Sequence, residues 1–151
     1  MSGRVVLVTG GAKGIGLACA QRFAANGDQV ESAFETIESK LGPVEVLVGN
    51  AAINRDTLLL RMSEADFTSV IDANLTGTFR VVKRATQGML RARKGRIVLM
   101  SSVVGMLGSA GQANYAASKA GLIGFARSLA RELSSRASDR AKPIRPALDA
   151  A

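Results

Sequence analysis

The chain has 151 residues, of which 47% are hydrophobic and 21% charged, a composition typical of one globular domain. With no histidine and one cysteine, the sequence argues against a transition-metal site and against a disulfide framework. No apolar segment approaches the about 20 residues of a membrane span, and the N-terminus lacks the features of a secretory signal, so we expect a cytoplasmic protein. The formal charge is +8, but one tyrosine and no tryptophan leave little for base stacking, which argues against a nucleic-acid partner.

Strand and helix patterns alternate along most of the chain. Short continuous apolar runs predict buried parallel strands at 4–8, 44–49 and 96–101. A helical stripe before the Gly-Pro pair at 42–43 consists of Val30, Phe34, Ile37 and Leu41. Ser63 and Asp66 predict the cap of a long helix that follows the second strand. The pattern favours an α/β fold with a parallel sheet, whereas residues 137–151 lack periodicity and are expected to be a disordered tail.

The turn after the first strand is rich in glycine. Gly10, Gly14 and Gly16 follow this strand and precede a helical pattern. Glycine lets the backbone approach a ligand closely, and the N–H groups of a helix N-terminus bind phosphate. The spacing differs from the commoner G-x-G-x-x-G fingerprint, and a tight turn without a ligand stays open as an alternative. Lys13 would favour NADP over NAD if it met an additional phosphate; an ordinary exposed loop lysine is the alternative.

Tyr115 and Lys119 stand four residues apart in an alanine-rich helical pattern, with only small residues between them. Residues at this spacing lie on the same face of a helix. Because an ordinary phenol has a pKa of about 10, a nearby ammonium would ease proton transfer from a tyrosine at neutral pH. Taken alone, such a pair is most often a chance helical neighbour, so its interpretation depends on the accompanying motifs.

Together these segments resemble the short-chain dehydrogenase/reductase family. The matching motifs are "TGGAKGIG" at 9–16, "GNAA" at 49–52, Asn74 in "NLTGTF", Ser102 in "SSVVG", and Tyr115-x-x-x-Lys119. The stretch 111–132 is most similar to the bacterial 3-oxoacyl-(acyl-carrier-protein) reductases. The resemblance implies a reduced Rossmann-like doubly wound parallel sheet of about three strands flanked by long helices, with a partial dinucleotide-binding and catalytic domain over residues 1–136. It also implies NADPH as the cofactor.

The resemblance gives each matching residue an expected role. It implies that Tyr115 donates a proton to the substrate, that Lys119 eases this transfer and holds the nicotinamide ribose, and that Ser102 binds the substrate carbonyl. Asn74 would anchor a water-mediated proton relay to Lys119, and Gln112 is a weaker candidate for substrate contact. The expected cofactor-binding residues are Gly10, Lys13, Gly14, Ile15, Gly16, Asn50, Ala51, Tyr115 and Lys119. From the residues alone, Ser102 as a turn-forming serine and Asn74 as a structural buried amide stay open.

Two departures from the family pattern bear on activity. Only 39 residues separate Gly10 from Asn50, where the family has two further strands and a helix. The sequence also lacks the family's last two strands, its Pro-Gly loop and its substrate lid. We therefore expect strain or disorder at residues 26–30, where two helical patterns meet, a malformed adenosine pocket, and weak or absent turnover.

The resemblance also implies a substrate and partners. The substrate would be a 3-oxoacyl thioester on an acyl-carrier protein, with the acidic carrier docking on the basic segment 80–96. A solvated helix face is the alternative for that segment. A homo-oligomer is expected by family. The alternative function is a non-catalytic remnant or interaction protein of the same family.

Overall fold

The structure, a computed structural model, describes residues 4–10, 27–136 and 146–149. In this part of the chain, four parallel strands form one open sheet in the order β1-β2-β3-β4. The strands are β1 (Val6–Thr9), β2 (Val46–Gly49), β3 (Arg96–Met100) and β4 (Pro146–Asp149). The first three confirm the positions of the predicted strands to within two residues at each end. The prediction that β1 is buried is wrong, because Val6 is 52% and Val8 48% exposed. With helices flanking them, the strands form the Rossmann-like α/β architecture expected from the sequence.

The fourth strand lies in the segment that we expected to be a disordered tail. β4 pairs parallel to β3, with Leu148 beside Leu99 and Asp149 beside Met100. Residues 137–145 lie outside the described residues. A strand of four residues that contains proline and aspartate has a weak pattern of its own. Its pairing with β3, whose Ile97 and Leu99 are completely buried, supplies what the local sequence does not.

The register of the sheet brings the carboxyl ends of the strands together. Gly49 at the end of β2 pairs with Thr9 on one side and with Leu99 on the other. The loops that follow β1, β2 and β3 therefore leave the same edge of the sheet. Open parallel sheets bind their ligands beyond this edge.

Five α-helices lie in the described residues: α1 (Gly27–Leu41), α2 (Glu64–Ile71), α3 (Gly77–Arg91), α4 (Val104–Leu107) and α5 (Ala113–Arg136), with a short 3-10 helix at Leu59–Arg61. α1 ends before Gly42, whose φ of 91° is a conformation that glycine adopts without strain. It buries Val30 and Phe34, as the stripe predicted, but Leu41 is 68% exposed. The expectation of strain or disorder at 26–30 is wrong for residues 27–30, because they form the first turn of α1. Residue 26 lies outside the described residues.

Arg84 on α3 holds α1 in place. Its Nε donates to Glu31 and its Nη2 to Glu38, both at 2.7 Å. The guanidinium carbon also lies 4.9 Å from the ring centre of Phe34. Burial lowers the pKa of Arg84, but hydrogen bonds and charge from Glu38 and Glu31 outweigh burial and raise it above its ordinary value. This cluster, formed by Arg84, Glu31, Glu38 and Phe34, is called the α1–α3 seam below.

The long helix predicted after Ser63 has a confirmed cap and an interruption. Ser63 Oγ accepts the backbone N–H of Asp66 at 3.1 Å, which is the contact of a helix cap. A π turn at Asp72–Thr76 separates α2 from α3, and within it the N–H of Gly77 donates to the carbonyl of Asp72. Turns of this kind occur frequently at functional sites. This one contains Asn74.

Candidate active site

Tyr115 and Lys119 lie one turn apart near the start of α5. Lys119 Nζ is 5.6 Å from the centre of the Tyr115 ring. Only 3% of Lys119 is exposed, and Nζ donates to the carbonyl of Met100 at 2.7 Å. Because burial disfavours the ammonium, the pKa of Lys119 is lowered from its ordinary value. The structure thus places a buried amine beside a phenol at the carboxyl edge of the sheet.

The end of β3 is joined to α5 through Ser101, Met100 and Lys119. Ser101 Oγ donates to the Lys119 carbonyl at 3.0 Å, so Lys119 contacts this strand end through its main chain as well as through Nζ. Gly105 on α4 also packs against α5, since a Cβ at that position would lie 2.8 Å from Lys119 Cβ. These contacts fix Lys119 relative to the strand that ends beside Ser102.

Ser102 forms a turn, which was the structural alternative to a role in substrate binding. Its Oγ accepts the N–H of Val104 at 3.2 Å. This bond uses the hydroxyl oxygen only as an acceptor, so the O–H of Ser102 is not consumed by it. A serine in this position can therefore hold the turn and still donate a hydrogen bond to a substrate oxygen.

Asn74 is completely buried, and its side chain is engaged on every side. Its Oδ1 accepts the N–H of Ile53 at 2.8 Å, and its Nδ2 donates to the Ile53 carbonyl at 2.9 Å and to Ser118 Oγ at 3.1 Å. Ser118 Oγ in turn donates to the carbonyl of Tyr115 at 2.8 Å. Asn74 is thus connected to the Tyr115 backbone through Ser118; no direct hydrogen bond to Lys119 is found among the described residues.

The carboxyl ends of β1 and β2 are joined by Thr9. Thr9 Oγ1 accepts the N–H groups of Asn50 at 3.1 Å and of Ala51 at 3.3 Å, and it donates to Val48. Asn50 Nδ2 donates to the Gly10 carbonyl at 3.3 Å. Gly10 has a φ of 71°, and a Cβ there would lie 2.6 Å from Ala51 Cα, so this approach requires glycine. Three residues expected to bind the cofactor, Gly10, Asn50 and Ala51, therefore meet at one point.

Several expected site residues contribute differently or cannot be described. Lys13, Gly14, Ile15 and Gly16 lie outside the described residues. Gln112, the weaker substrate candidate, donates through Nε2 to the carboxylate of Asp56 at 2.9 Å. The sequence patterns did not single out Thr9, Ser101, Asn114 and Ser118. A polar residue directly after a strand, or in the first turns of the Tyr115 helix, is the signal that would have identified them.

The basic segment 80–96 is divided by the structure. Arg84 is taken up by the α1–α3 seam, where its side chain is 13% exposed. The residues Lys83, Arg91, Arg93 and Lys94 are exposed. Lys94 pairs with Glu45 at 2.6 Å. The turn 91–95 precedes β3, whereas Ser102 follows it. The exposed cations of this turn and Ser102 therefore lie at opposite ends of a five-residue strand, about 17 Å apart.

The hydrogen-bond donors of Lys119 and the space beside Gly10 show whether the site fits a nicotinamide cofactor. An ammonium has three N–H donors, and one hydrogen bond of Lys119 Nζ is found among the described residues. A buried ammonium with unused donors fits the hydroxyl groups of a ribose, because buried donors require acceptors. The close approach of Gly10 to Ala51 also clears side-chain bulk from the edge of the sheet. The described residues therefore fit such a cofactor.

Comparison with known proteins places the chain in a family. The family model described as short chain dehydrogenase matches residues 26–138. The chain is 51% identical to the 3-oxoacyl-[acyl-carrier-protein] reductase MabA of Mycobacterium avium, in an alignment that covers 87% of this chain and 62% of that protein. It is 50% identical to MabA of Mycobacterium tuberculosis, covering 87% and 64% respectively. It is 40% identical to the reductase FabG of Escherichia coli, covering 89% and 69%.

These matches settle the family and leave a difference in length. The chain belongs to the short-chain dehydrogenase family. It spans 62% to 69% of the length of the three relatives compared. Among the described residues, no helix has both the length and the apolar character needed to cross a membrane.

Proposed function

We propose that this short-chain dehydrogenase binds NADPH and reduces the 3-oxo group of an acyl thioester carried on an acyl-carrier protein, in the cytoplasm and as a homo-oligomer. The observation that carries the proposal is Lys119, a buried amine 5.6 Å from the centre of the Tyr115 ring at the carboxyl edge of the sheet. The names of the relatives supply the substrate class. The site residues retain the roles implied by the family resemblance.

In the proposed reaction, Ser102 donates its O–H to the oxygen of the 3-oxo group and holds the carbonyl in place. NADPH, when bound, supplies the hydride that reduces the carbonyl carbon. Tyr115 then gives its hydroxyl proton to the oxygen as negative charge develops there, and the product is the 3-hydroxyacyl thioester. Lys119 in its charged form stabilises the phenolate left on Tyr115, since an opposite charge nearby favours the ionised form.

Cofactor binding is proposed to use Lys119 on α5 and the residues that follow β1 and β2. Lys119 Nζ has donors for the nicotinamide ribose, and Gly10, Asn50 and Ala51 leave room for the phosphates at the ends of β1 and β2. Gly14, Ile15 and Gly16 would contribute the glycine loop. Lys13 is proposed to favour NADPH over NADH. Equal affinities for the two cofactors, or an unchanged preference in Lys13→Ala, would remove that part of the proposal.

The proposed function is tested by comparing the wild-type chain with Tyr115→Phe. Binding is followed by the fluorescence of NADPH, and turnover by its consumption with a 3-oxoacyl thioester. We expect Tyr115→Phe to abolish turnover while binding stays nearly intact, because only the hydroxyl is removed. An active phenylalanine variant contradicts the role of Tyr115. Binding without turnover in the wild type, or no binding, favours the alternative of a non-catalytic family member.

Carrier docking is a separate part of the proposal. The exposed cations Lys83, Arg91 and Arg93 are the candidates for contact with an acidic carrier, whereas Arg84 and Lys94 are paired with carboxylates of the protein itself. Such an association should weaken steeply as salt increases, because exposed charges are screened. Binding that is independent of salt, or absent at low salt, would leave these residues as a solvated face.

A further inference from the structure

We propose that Asn114 is a positioning residue, which fixes the backbone of Tyr115 against the loop after β2 and the first turn of α2. Asn114 directly precedes Tyr115 and is completely buried. For its catalytic meaning the inference rests on the proposed role of Tyr115 as proton donor. Whether Asn114 fixes the position of Tyr115 can be measured in a protein that shows no turnover.

The contacts of Asn114 join three separate segments. Its Nδ2 donates to the carbonyl of Arg55 at 2.9 Å and lies 3.4 Å from the carbonyl of Asp66. Its Oδ1 accepts the N–H of Tyr115 at 2.8 Å. A carboxamide has two N–H donors and one acceptor oxygen, and all of these are used here. A buried polar group that is fully satisfied holds a single arrangement, since any other would leave buried donors without acceptors.

The bond to Tyr115 falls where the helix cannot supply one. Within α5, the N–H of Ala116 donates to the carbonyl of Gln112, which precedes the helix. Tyr115, one residue earlier, is in the first turn, whose N–H groups have no acceptor inside the helix. Asn114 provides that acceptor from its own side chain. The same side chain donates to the carbonyls of Arg55 and Asp66. The start of α5 is therefore fixed to the loop after β2 and to α2.

A second buried amide holds the other end of the same residue. The Tyr115 carbonyl accepts from Ser118, which itself accepts from Asn74. Asn74 binds both backbone groups of Ile53, while Asn114 binds the carbonyl of Arg55 two residues later. The backbone of Tyr115 is therefore anchored at its N–H and at its carbonyl to one short loop. Small displacements of a reacting group lower rates strongly, which gives such anchoring a function.

The test uses the single tyrosine of the chain. The protein is labelled with 3-fluorotyrosine, so that its fluorine NMR spectrum has one resonance, from position 115. We expect Asn114→Ala to shift or broaden this resonance, because three hydrogen bonds that hold the backbone are lost. The matched control is Asn54→Ala, an exposed asparagine of the same loop, which should leave the resonance unchanged. Where the wild type turns over, kcat should fall on the order of tenfold in Asn114→Ala, with a smaller change in KM for NADPH.

A folded Asn114→Ala chain whose resonance coincides with that of the wild type overturns the proposal. If that variant does not fold, Asn114→Ser is measured instead, because its hydroxyl keeps an acceptor near the Tyr115 N–H and so favours folding. A shifted or broadened resonance is again expected, because the hydrogen bond to the Arg55 carbonyl is lost. Unfolding of both variants, with Asn54→Ala folded, also overturns the proposal, because Asn114 would then act on stability alone. A wild type without turnover refutes the proposed function, and the resonance still decides the role of Asn114.

Discussion

Lys119 and Arg84 are both cations withdrawn from water, yet the regions around them differ. Lys119 lies at the carboxyl edge of the sheet, where its partner is a neutral carbonyl and burial lowers its pKa. Arg84 lies in the α1–α3 seam between two carboxylates, which raise its pKa in spite of burial. Burial alone therefore does not distinguish the cation proposed for catalysis from the one that holds two helices together. The observed difference is that Arg84 has two carboxylates as partners, whereas the partner of Lys119 Nζ among the described residues is an uncharged carbonyl.

The largest expected effect is on turnover at Lys119. If Lys119 stabilises the phenolate of Tyr115, Lys119→Met should lower the rate of NADPH consumption by about a hundredfold or more. Lys40→Met, which removes an exposed lysine of α1, should leave the rate unchanged. A Lys119→Met variant with wild-type turnover would show that the buried amine is structural, like Arg84.

The largest expected effect on stability is at Arg84. Arg84→Met leaves the Glu38 carboxylate, which is 25% exposed, without its cation. Removing one partner of a well-buried pair costs about 3–5 kcal/mol. Because Glu31 is 53% exposed, we expect a smaller loss, about 2 kcal/mol, in the free energy of unfolding measured with urea.

A second substitution tests the cause of that loss. Adding Glu38→Gln to Arg84→Met should recover part of the lost stability, since the unpaired charge is then removed. No recovery would mean that Arg84 stabilises the α1–α3 seam through its packing on Phe34 rather than through its charge.

The pH dependence of stability separates the two cations further. Because the pKa of Lys119 is lowered by folding, the unfolded chain binds more protons between that lowered pKa and the ordinary value of 10.5. The contribution of Lys119 to stability should therefore rise as pH increases through this window. Thermal unfolding at a series of pH values should show the rise in the wild type and in Lys40→Met, but not in Lys119→Met. The same rise in Lys119→Met would assign it to another group.

The smallest expected effect is at the exposed side of the α1–α3 seam. Glu31→Gln should reduce the free energy of unfolding by about 0.5 kcal/mol, the magnitude of a largely exposed ion pair. The loss should shrink at high salt, because salt screens exposed charges. A loss as large as that of Arg84→Met would mean that Glu31, and not Glu38, carries the pairing.

Features that depend on neighbours along the chain were predictable. Continuous apolar runs predict the positions of the first three strands, although not the exposure of β1, and two residues three positions apart predict the Ser63 cap. The pairing of Tyr115 with Lys119 on one helix face followed from their spacing. The long helix after Ser63 was predicted without its π turn, since the patterns on either side of Asn74 are both helical.

The sequence by itself determined the first three strands, the helix cap and the spacing that puts Tyr115 and Lys119 on one helix face, because propensity, periodicity and spacing act over a few residues. Only the tertiary structure decided that Lys119 is buried against Met100, that Asn74 reaches Tyr115 through Ser118, and that β4 pairs with β3. These contacts join residues far apart in the sequence. Whether a polar side chain becomes a reactive group or a structural support depends on which distant groups satisfy it once water is excluded.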